Sequence, residues 1–396
     1  MSAPLLLDLT HTSHTRARTG VQRVARSLHR AWTGRALALT HDPYRAAWRP
    51  LEPWEQENLA AESPAAKRGA LWPLAARVRG RVRRALGANS RHLLPPGSAG
   101  LVVPEIFSAA TAAALPALFA AARGPRVAVF HDAIALQFPE FAPAKTMARF
   151  PPYLRELLAF DGIAAVSEDS RAALVDYWRW LGAAAMPPVA AITLGVDVPA
   201  TSAPVVPNAH DPDAEPVVLS VGSIEGRKNH LALLDACEQL WAQGRRFTLH
   251  LIGLAQPQTG GAALARLRAL QAAGRPLRYD GPVGEAALEA AYAACTFTVY
   301  PSPLEGFGLP VLESVGRARP CICSARGALG ESARGGGCLA LDTVGAADLA
   351  PAIARLLDQP AERAALAHAA RARRFRTWQN YADDLAAWLG TLTRRD

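Results

Sequence analysis

The run Tyr300-Pro-Ser-Pro-Leu-Glu305-Gly-Phe-Gly-Leu-Pro310-Val-Leu-Glu313 reads as a glycine-rich turn between two carboxylates that opens directly into a helix. Gly306 and Gly308 allow the backbone to approach an anion closely, and Pro310 suits the first helical position, where no N–H is needed. The amides of Phe307, Gly308 and Leu309 are then left at a helix mouth whose positive end favours phosphate. Glu305 and Glu313 beside a phosphate cradle fit a ligand that also carries hydroxyls, because ribose and hexose hydroxyls donate well to carboxylate oxygens. A sugar nucleotide has both parts. The plainer alternative is an ordinary strand–loop–helix connection with solvated glutamates, since short glycine patterns recur by chance.

The longer run Pro301-Ser-x-x-Glu305-Gly-Phe-Gly-Leu-Pro310-x-x-Glu313 resembles the signature of retaining glycosyltransferase family 4, in which two glutamates are separated by seven residues. The resemblance continues through Gly316-Arg-Ala-Arg-Pro320-Cys-Ile-Cys-Ser324 and Gly327-Ala-Leu-Gly-Glu331, and covers most of the chain from about Val217 onward. It implies the GT-B fold: two doubly wound, Rossmann-like α/β domains facing across a cleft, with donor on the second and acceptor mostly on the first. It also implies that the final helix, Phe375-Arg-Thr-Trp378 with Tyr381 to Leu389, crosses back onto the first domain.

The residues outside the motif point the same way. Short apolar runs alternate with helical patterns: Leu5–Asp8, Gly100–Val103, Val127–Phe130 and Gly162–Val166, then Val217–Val221, Phe247–Ile252, Thr296–Tyr300 and Pro320–Cys323. That rhythm suggests parallel sheets covered by helices. Between the two sets lies a stretch rich in Pro, Ala, Ser and Asp, which reads as a linker. The expected division is therefore 1–197, linker 198–215, 216–374, and a terminal helix 375–396. Open α/β sheets bind ligands at the carboxyl ends of their strands, so site residues are sought there.

After Val217–Val221 comes Gly222-Ser-Ile-Glu-Gly-Arg227-Lys228-Asn229-His230. Two cations at a helix start oppose its dipole and need another reason to be there, which a diphosphate supplies. Lys228 serves as a mobile point charge and Arg227 as a planar fork. Ser223 stands where many family members carry Arg, and this resembles a subgroup with Ser or Thr at that place and Arg-Lys-Asn downstream. In the first half, Gly20 matches the family's N-terminal glycine near the donor phosphate, with Arg23 about one turn on. His131 follows a strand where similar members have a donor-contacting His, and Asp132 is expected to fix its ring or meet the acceptor. Ser167-Glu168-Asp169-Ser170 reads as a helix cap. Asp211-Pro-Asp213 sits in the linker and reads as turn chemistry, so no metal and no resident cofactor are expected.

Half of the 396 residues are hydrophobic, enough for two cored domains. The five cysteines lack zinc spacing, and Cys321 and Cys323 read as core thiols of one strand face. No apolar run is long enough to cross a bilayer, and the N-terminus shows no basic leader, so a cytoplasmic place is expected. The net charge of +9 is concentrated in residues 1–200, which hold 23 basic against 15 acidic side chains. Its densest cluster, Arg77-Val-Arg79-Gly-Arg81-Val-Arg83-Arg84, follows Leu71-Trp-Pro-Leu74 and ends near Arg91-His92. The stretch suits an anionic lipid surface, at the inner face of the plasma membrane, or a polyanionic acceptor; a solvated arginine face is the plain alternative. No nucleic-acid pattern accompanies the charge.

The expected activity is retaining transfer of a hexose, with mannose from GDP-mannose favoured by the Ser223 subgroup, to a glycan or lipid-linked glycan of a bacterial surface polysaccharide. The site residues are Glu305, Lys228, Arg227 and His131 for chemistry, and Gly20, Ser223, Phe307, Gly308, Leu309 and Glu313 for the donor. A sugar-nucleotide epimerase and a non-catalytic nucleotide-sugar-binding protein are the competing readings.

Overall fold

The computed structural model describes residues 3–61, 71–87, 94, 97–198 and 215–395. Residues 199–214, which hold nearly all of the expected linker with Asp211 and Asp213, lie outside them, as do Arg91 and His92. Two units divide the chain: one is Met1–Leu136, Ala144–Gly195 and Trp378–Asp396, the other Gln137–Pro143 and Val196–Thr377. The short Gln137–Pro143 segment thus groups with the second unit, although the first domain was expected to be continuous. There the Phe141 ring lies 3.1 Å from the place a Cβ on Gly226 would occupy.

The first unit holds a seven-stranded sheet: β1 Leu5–Asp8, β2 Ala36–Asp42, β3 Ala47–Pro50, β4 Gly100–Val103, β5 Arg126–Phe130, β6 Gly162–Ala165 and β7 Val189–Ala191. Their order is β3-β2-β1-β4-β5-β6-β7, parallel except for the β2–β3 hairpin. Leu6, Leu7, Leu101, Val102, Val127 and Val129 are buried because helices cover both faces, which is why these strands read as continuous apolar runs. The terminal helix Trp378–Thr391 belongs to this unit and packs on the Gly20–Ala31 helix. Gly100 and Gly162 make room for its end: a Cβ there would come within 2.7 Å of Leu389 Cδ2 and 2.6 Å of Leu392 Cδ1.

The second unit holds β8 Val217–Val221, β9 Thr248–Ile252, β10 Leu277–Tyr279, β11 Phe297–Tyr300, β12 Cys321–Ser324 and β13 Cys338–Leu341. The order is β10-β9-β8-β11-β12-β13, all parallel. Val218, Leu249, Leu251, Phe297, Val299 and Ile322 form its core with the His230–Ala242 and Ala346–Asp358 helices. Cys321 and Cys323 are buried in β12, as expected of core thiols. In each sheet the order reverses beside the first strand, between β1 and β4 and between β8 and β11. Loops leaving such a pair run opposite ways and open a crevice at the carboxyl ends. Among the described residues no helix is long and apolar enough to cross a membrane.

Candidate active site

The site of the second unit sits at the β8–β11 reversal. Out of β8, the Gly222-Ser223-Ile224 turn runs beside Gly253–Ala255, with Gly222 N donating to Ile252 O at 2.8 Å and Ile224 N to Leu254 O at 2.9 Å. A Cβ on Gly253 would lie 1.9 Å from Gly222 O, so only glycine permits this approach. A 3₁₀ turn, Gly226–Lys228, follows, and Asn229 then adopts the left-handed region (φ 54°) before the His230–Ala242 helix. Asparagine is one of the few residues that tolerate it. Its Nδ2 donates to Val344 O at 2.8 Å and Pro301 O at 3.2 Å, which ties this turn to the loop after β11.

That tie brings Arg227, Lys228 and Glu305 together. Glu305 Oε2 accepts from Arg227 NH1 and Oε1 from Lys228 Nζ, each at 2.6 Å. Lys228 also donates to the Tyr300 hydroxyl, its Nζ 4.8 Å from the centre of that ring, while Glu225 Oε1 lies 2.9 Å from Arg227 NH2. Lys228 and Glu305 are both buried. Burial alone would push the Glu305 carboxyl up, but Arg227 and Lys228 outweigh it and hold the pKa to about 2. Lys228 moves the opposite way from a simply paired lysine: burial and the adjacent Arg227 lower its pKa against the pull of Glu305. The two shifts agree physically, because the carboxylate faces two cations whereas the ammonium faces one carboxylate and another cation. His230, buried behind them, is held neutral at about 3 by burial and Lys228.

The helix after the motif begins at Leu309, with Gly308 as its cap at φ 103°, so Pro310 takes the second helical position rather than the first. A Cβ on Gly308 would meet Leu329 Cδ2 at 2.9 Å as well as an unfavourable φ. Ser332 Oγ donates to Phe307 O at 2.6 Å and fixes the turn. Among the described residues the amides of Phe307, Gly308 and Leu309 have no acceptor. Glu313, on the same helix, is buried, and Tyr292 OH lies 3.4 Å from its Oε2. No three His, Cys, Asp or Glu side chains group as metal ligands among the described residues.

Gly20 and His131 lie in the first unit: Gly20 opens the Gly20–Ala31 helix that follows β1, and His131 is on the loop leaving β5 at the carboxyl edge of the sheet. No atom comes within 4 Å of a Cβ placed on Gly20, leaving its backbone open to approach. His131 Nε2 donates to Pro104 O at 2.8 Å, and burial lowers its pKa, so the ring is neutral with Nδ1 as its remaining acceptor. Asp132 does not fix that ring as expected: its Oδ1 accepts from Ile134 N at 3.1 Å and shapes the turn instead. Ser167 caps the Glu168–Trp180 helix by accepting from Ser170 N.

Three groups escaped the reading of the sequence. Tyr300 ends β11, and a tyrosine at a strand terminus beside a glycine turn was the available signal. Asn229 was read as part of a cationic turn, whereas its left-handed backbone is what joins the turn to β11. In the first unit, Asp8 and Glu105 form a buried carboxyl pair at the β1–β4 reversal. Burial and Glu105 raise Asp8 to about 7, and Glu105, raised by burial, accepts from His11 N at 2.9 Å and Thr12 N at 2.8 Å.

Residues 207–373 match the family model for glycosyl transferases group 1. The chain carries a group 1 glycosyltransferase domain. That domain spans all of β8 to β13 with Arg227, Lys228, Glu305 and Glu313. The chain is 26% identical over 347 residues to the serotype-specific mannosyltransferase WbdA of Escherichia coli, covering 80% of this chain and 38% of WbdA. It is 29% identical over 202 residues to the O-antigen chain mannosyltransferase B of E. coli, covering 50% of this chain and 52% of that protein. The chain thus spans about half or less of the length of these curated relatives. Among solved structures, sucrose-phosphate synthase of Thermosynechococcus elongatus matches with a TM-score of 0.67 at 19% identity, covering 98% of both chains. Anabaena HepE in complex with UDP and glucose matches with a TM-score of 0.68 at 16% identity, covering 98% of this chain and 100% of HepE. The glycosyltransferase domain and the sheet before it therefore have the GT-B fold that the motif implied.

Proposed function

We propose that the chain is a retaining, metal-independent hexosyltransferase whose second unit binds a nucleoside-diphosphate sugar, GDP-mannose being the favoured donor. The acceptor is a glycan or lipid-linked glycan of a bacterial surface polysaccharide. The observation that carries this reading is the Arg227–Glu305–Lys228 cluster, with Lys228 and Glu305 buried, beside the Phe307, Gly308 and Leu309 amides at the Gly308-capped helix, which have no acceptor among the described residues. Cations and helix amides together make a diphosphate site. Mannose is supported by two E. coli relatives described as mannosyltransferases.

In the proposed step the bond from sugar C1 to the diphosphate oxygen breaks, and the acceptor oxygen bonds C1 on the same face. The acceptor hydroxyl's proton passes to the departing diphosphate oxygen. Lys228, Arg227 and the amides of Phe307 to Leu309 neutralise charge as it grows there. Glu305 holds both cations in place and meets hexose hydroxyls; Glu313 takes the ribose, and Ser223 lies against the donor. For Gly20 and His131 the support is the family resemblance and their place at strand ends of their own sheet.

A donor screen by thermal shift, followed by transfer from labelled sugar nucleotides to a lipid-linked oligosaccharide, tests the proposal. GDP-mannose should raise Tm most and yield a mannosylated product, with the rate unchanged in EDTA. Isomerised donor would instead identify an epimerase, and binding without turnover a non-catalytic protein. Glu313→Ala is expected to raise donor KM about tenfold while kcat falls less, because it removes a contact made equally before and during the reaction. A kcat defect with unchanged KM would remove the ribose from its role.

A further inference from the structure

The Leu74–Ala85 helix of the first unit is clamped to the protein by its small residues and turns its large ones outward. Ala76 and Gly80 are buried, and a Cβ on Gly80 would meet Tyr44 Cβ at 2.8 Å, so the helix backbone lies directly on the turn after β2. On the opposite face, Leu74 (69% exposed), Val78 (50%) and Val82 (50%) succeed one another at single-turn intervals, and Leu86 (77%) extends the line. Leu71, just before the helix, is 73% exposed. Five of the nine large hydrophobic residues exposed among the described residues therefore fall in this one segment. Single exposed apolar residues need no explanation, whereas a contiguous stripe of them does.

Charge frames the stripe on both sides. Helical spacing puts Arg77, Arg81 and Arg84 along one flank and Arg79 and Arg83 along the other. Glu52 pairs with Arg79 and lies 3.9 Å from Arg83, so among the described residues a single carboxylate serves that flank. Among the described residues no carboxylate pairs with Arg77, Arg81 or Arg84, although the Arg81 guanidinium sits over the Tyr44 ring. Residues 71–87 contain no acidic side chain.

We propose that this face docks on an anionic lipid bilayer, with the Leu74–Val78–Val82–Leu86 stripe entering the acyl boundary and the flanking arginines reaching up to lipid phosphates. Arginine stems run along apolar surface while their heads stay in the polar layer, the arrangement that both flanks present. A soluble polyanion explains the arginines but gives the exposed leucines and valines nothing to cover them, which is why the bilayer is favoured. The surface is independent of the donor site and of the reaction assigned to it.

Flotation of the full chain with vesicles tests the idea. Vesicles of three parts phosphatidylcholine to one part phosphatidylglycerol should bind about a hundredfold more tightly than phosphatidylcholine alone, given three arginines, Arg77, Arg81 and Arg84, near the surface. Val78→Asp with Val82→Asp should abolish binding with Tm unchanged, and Val78→Ser with Val82→Ser should weaken it if the first pair disturbs folding. Arg77→Gln, Arg81→Gln and Arg84→Gln together should remove the preference for phosphatidylglycerol. Failure to bind the mixed vesicles overturns the proposal. Unchanged binding by the Val78 and Val82 variants, with dextran sulfate bound as tightly as vesicles, would replace it with a polyanion surface.

Discussion

Lys228→Met lowers kcat by about 100- to 1,000-fold, with donor KM changed far less, if Lys228 neutralises the departing diphosphate as proposed; removal of one such preorganised donor has that scale of effect. The reasoning rests on charge balance within the cluster. Glu225, Arg227, Glu305 and Lys228 alternate in sign and sum to no net charge, so the resting site has little spare positive potential. A diphosphate must draw Arg227 and Lys228 partly away from their carboxylates, or use the amides at the Gly308 cap. Charge that builds only during bond breaking is then met by a lysine already in place, which acts on kcat. Methionine keeps the stem over Tyr300 and removes the ammonium, leaving Glu305 still paired with Arg227. Glu305→Gln should do something different: it adds net positive charge, so the nucleoside diphosphate product should bind more tightly while turnover falls. Initial rates at saturating and limiting donor, with product inhibition, separate the two. If Lys228 merely positions Glu305, the double variant will lose no more than either single one, and the assigned role fails. Because Glu305 is held to about 2, an acid limb in kcat above pH 4 must come from another group.

The donor side of this site was legible because its parts are local in sequence. Gly306, Gly308 and Glu313 lie within one turn and helix, and Gly222 to Lys228 within one loop, so spacing alone displays them. What spacing cannot display is which loop meets which. The Lys228–Glu305 pair joins residues far apart in the chain, and the strap that makes it, Asn229 to Pro301 and Val344, depends on a left-handed backbone at a residue that looks like an ordinary helix cap. The inner strands β1, β4, β5, β6, β8, β9, β11 and β12 were visible as apolar runs because helices cover both of their faces. β7 and β10, three residues each at sheet edges, carry too few side chains for periodicity to register. β2 and β3 were missed because Thr40, His41, Asp42 and Arg49 interrupt their apolar pattern, and three of these four, Thr40, Asp42 and Arg49, are themselves buried.

Two of those interrupting residues, Asp42 and Arg49, belong to a buried ionic chain whose disruption should strongly destabilise the first unit. Glu55 accepts from Arg49 NH1 at 2.7 Å and NH2 at 2.8 Å, from His14 Nε2 at 2.7 Å and from Glu52 N at 2.7 Å; Arg49 Nε also donates to Asp42 at 3.0 Å. Trp72 stacks on His14 with ring centres 4.0 Å apart and closes the cluster from outside. Glu55→Ala leaves a buried guanidinium with half its partners and an imidazole with no acceptor at that nitrogen, a loss of about 3–5 kcal/mol. Two units make single-step unfolding an unsafe assumption, so the loss is best read as an earlier first transition in urea with the nucleotide-stabilised transition unmoved. The pH dependence fixes the sign. Burial alone would raise the Glu55 carboxyl, but hydrogen bonds from His14 and Arg49 lower it below 4.5, so its contribution is complete above that pH and disappears on acidification below it. The gap between wild type and Glu55→Ala should therefore narrow from pH 7 to pH 3. A gap that stayed constant would mean that the variant acts through lost packing rather than a lost charge. Replacing Arg49 and Glu55 together by methionine and leucine supplies the complementary measurement: two apolar side chains restore volume without stranding a charge, so most of the loss should return.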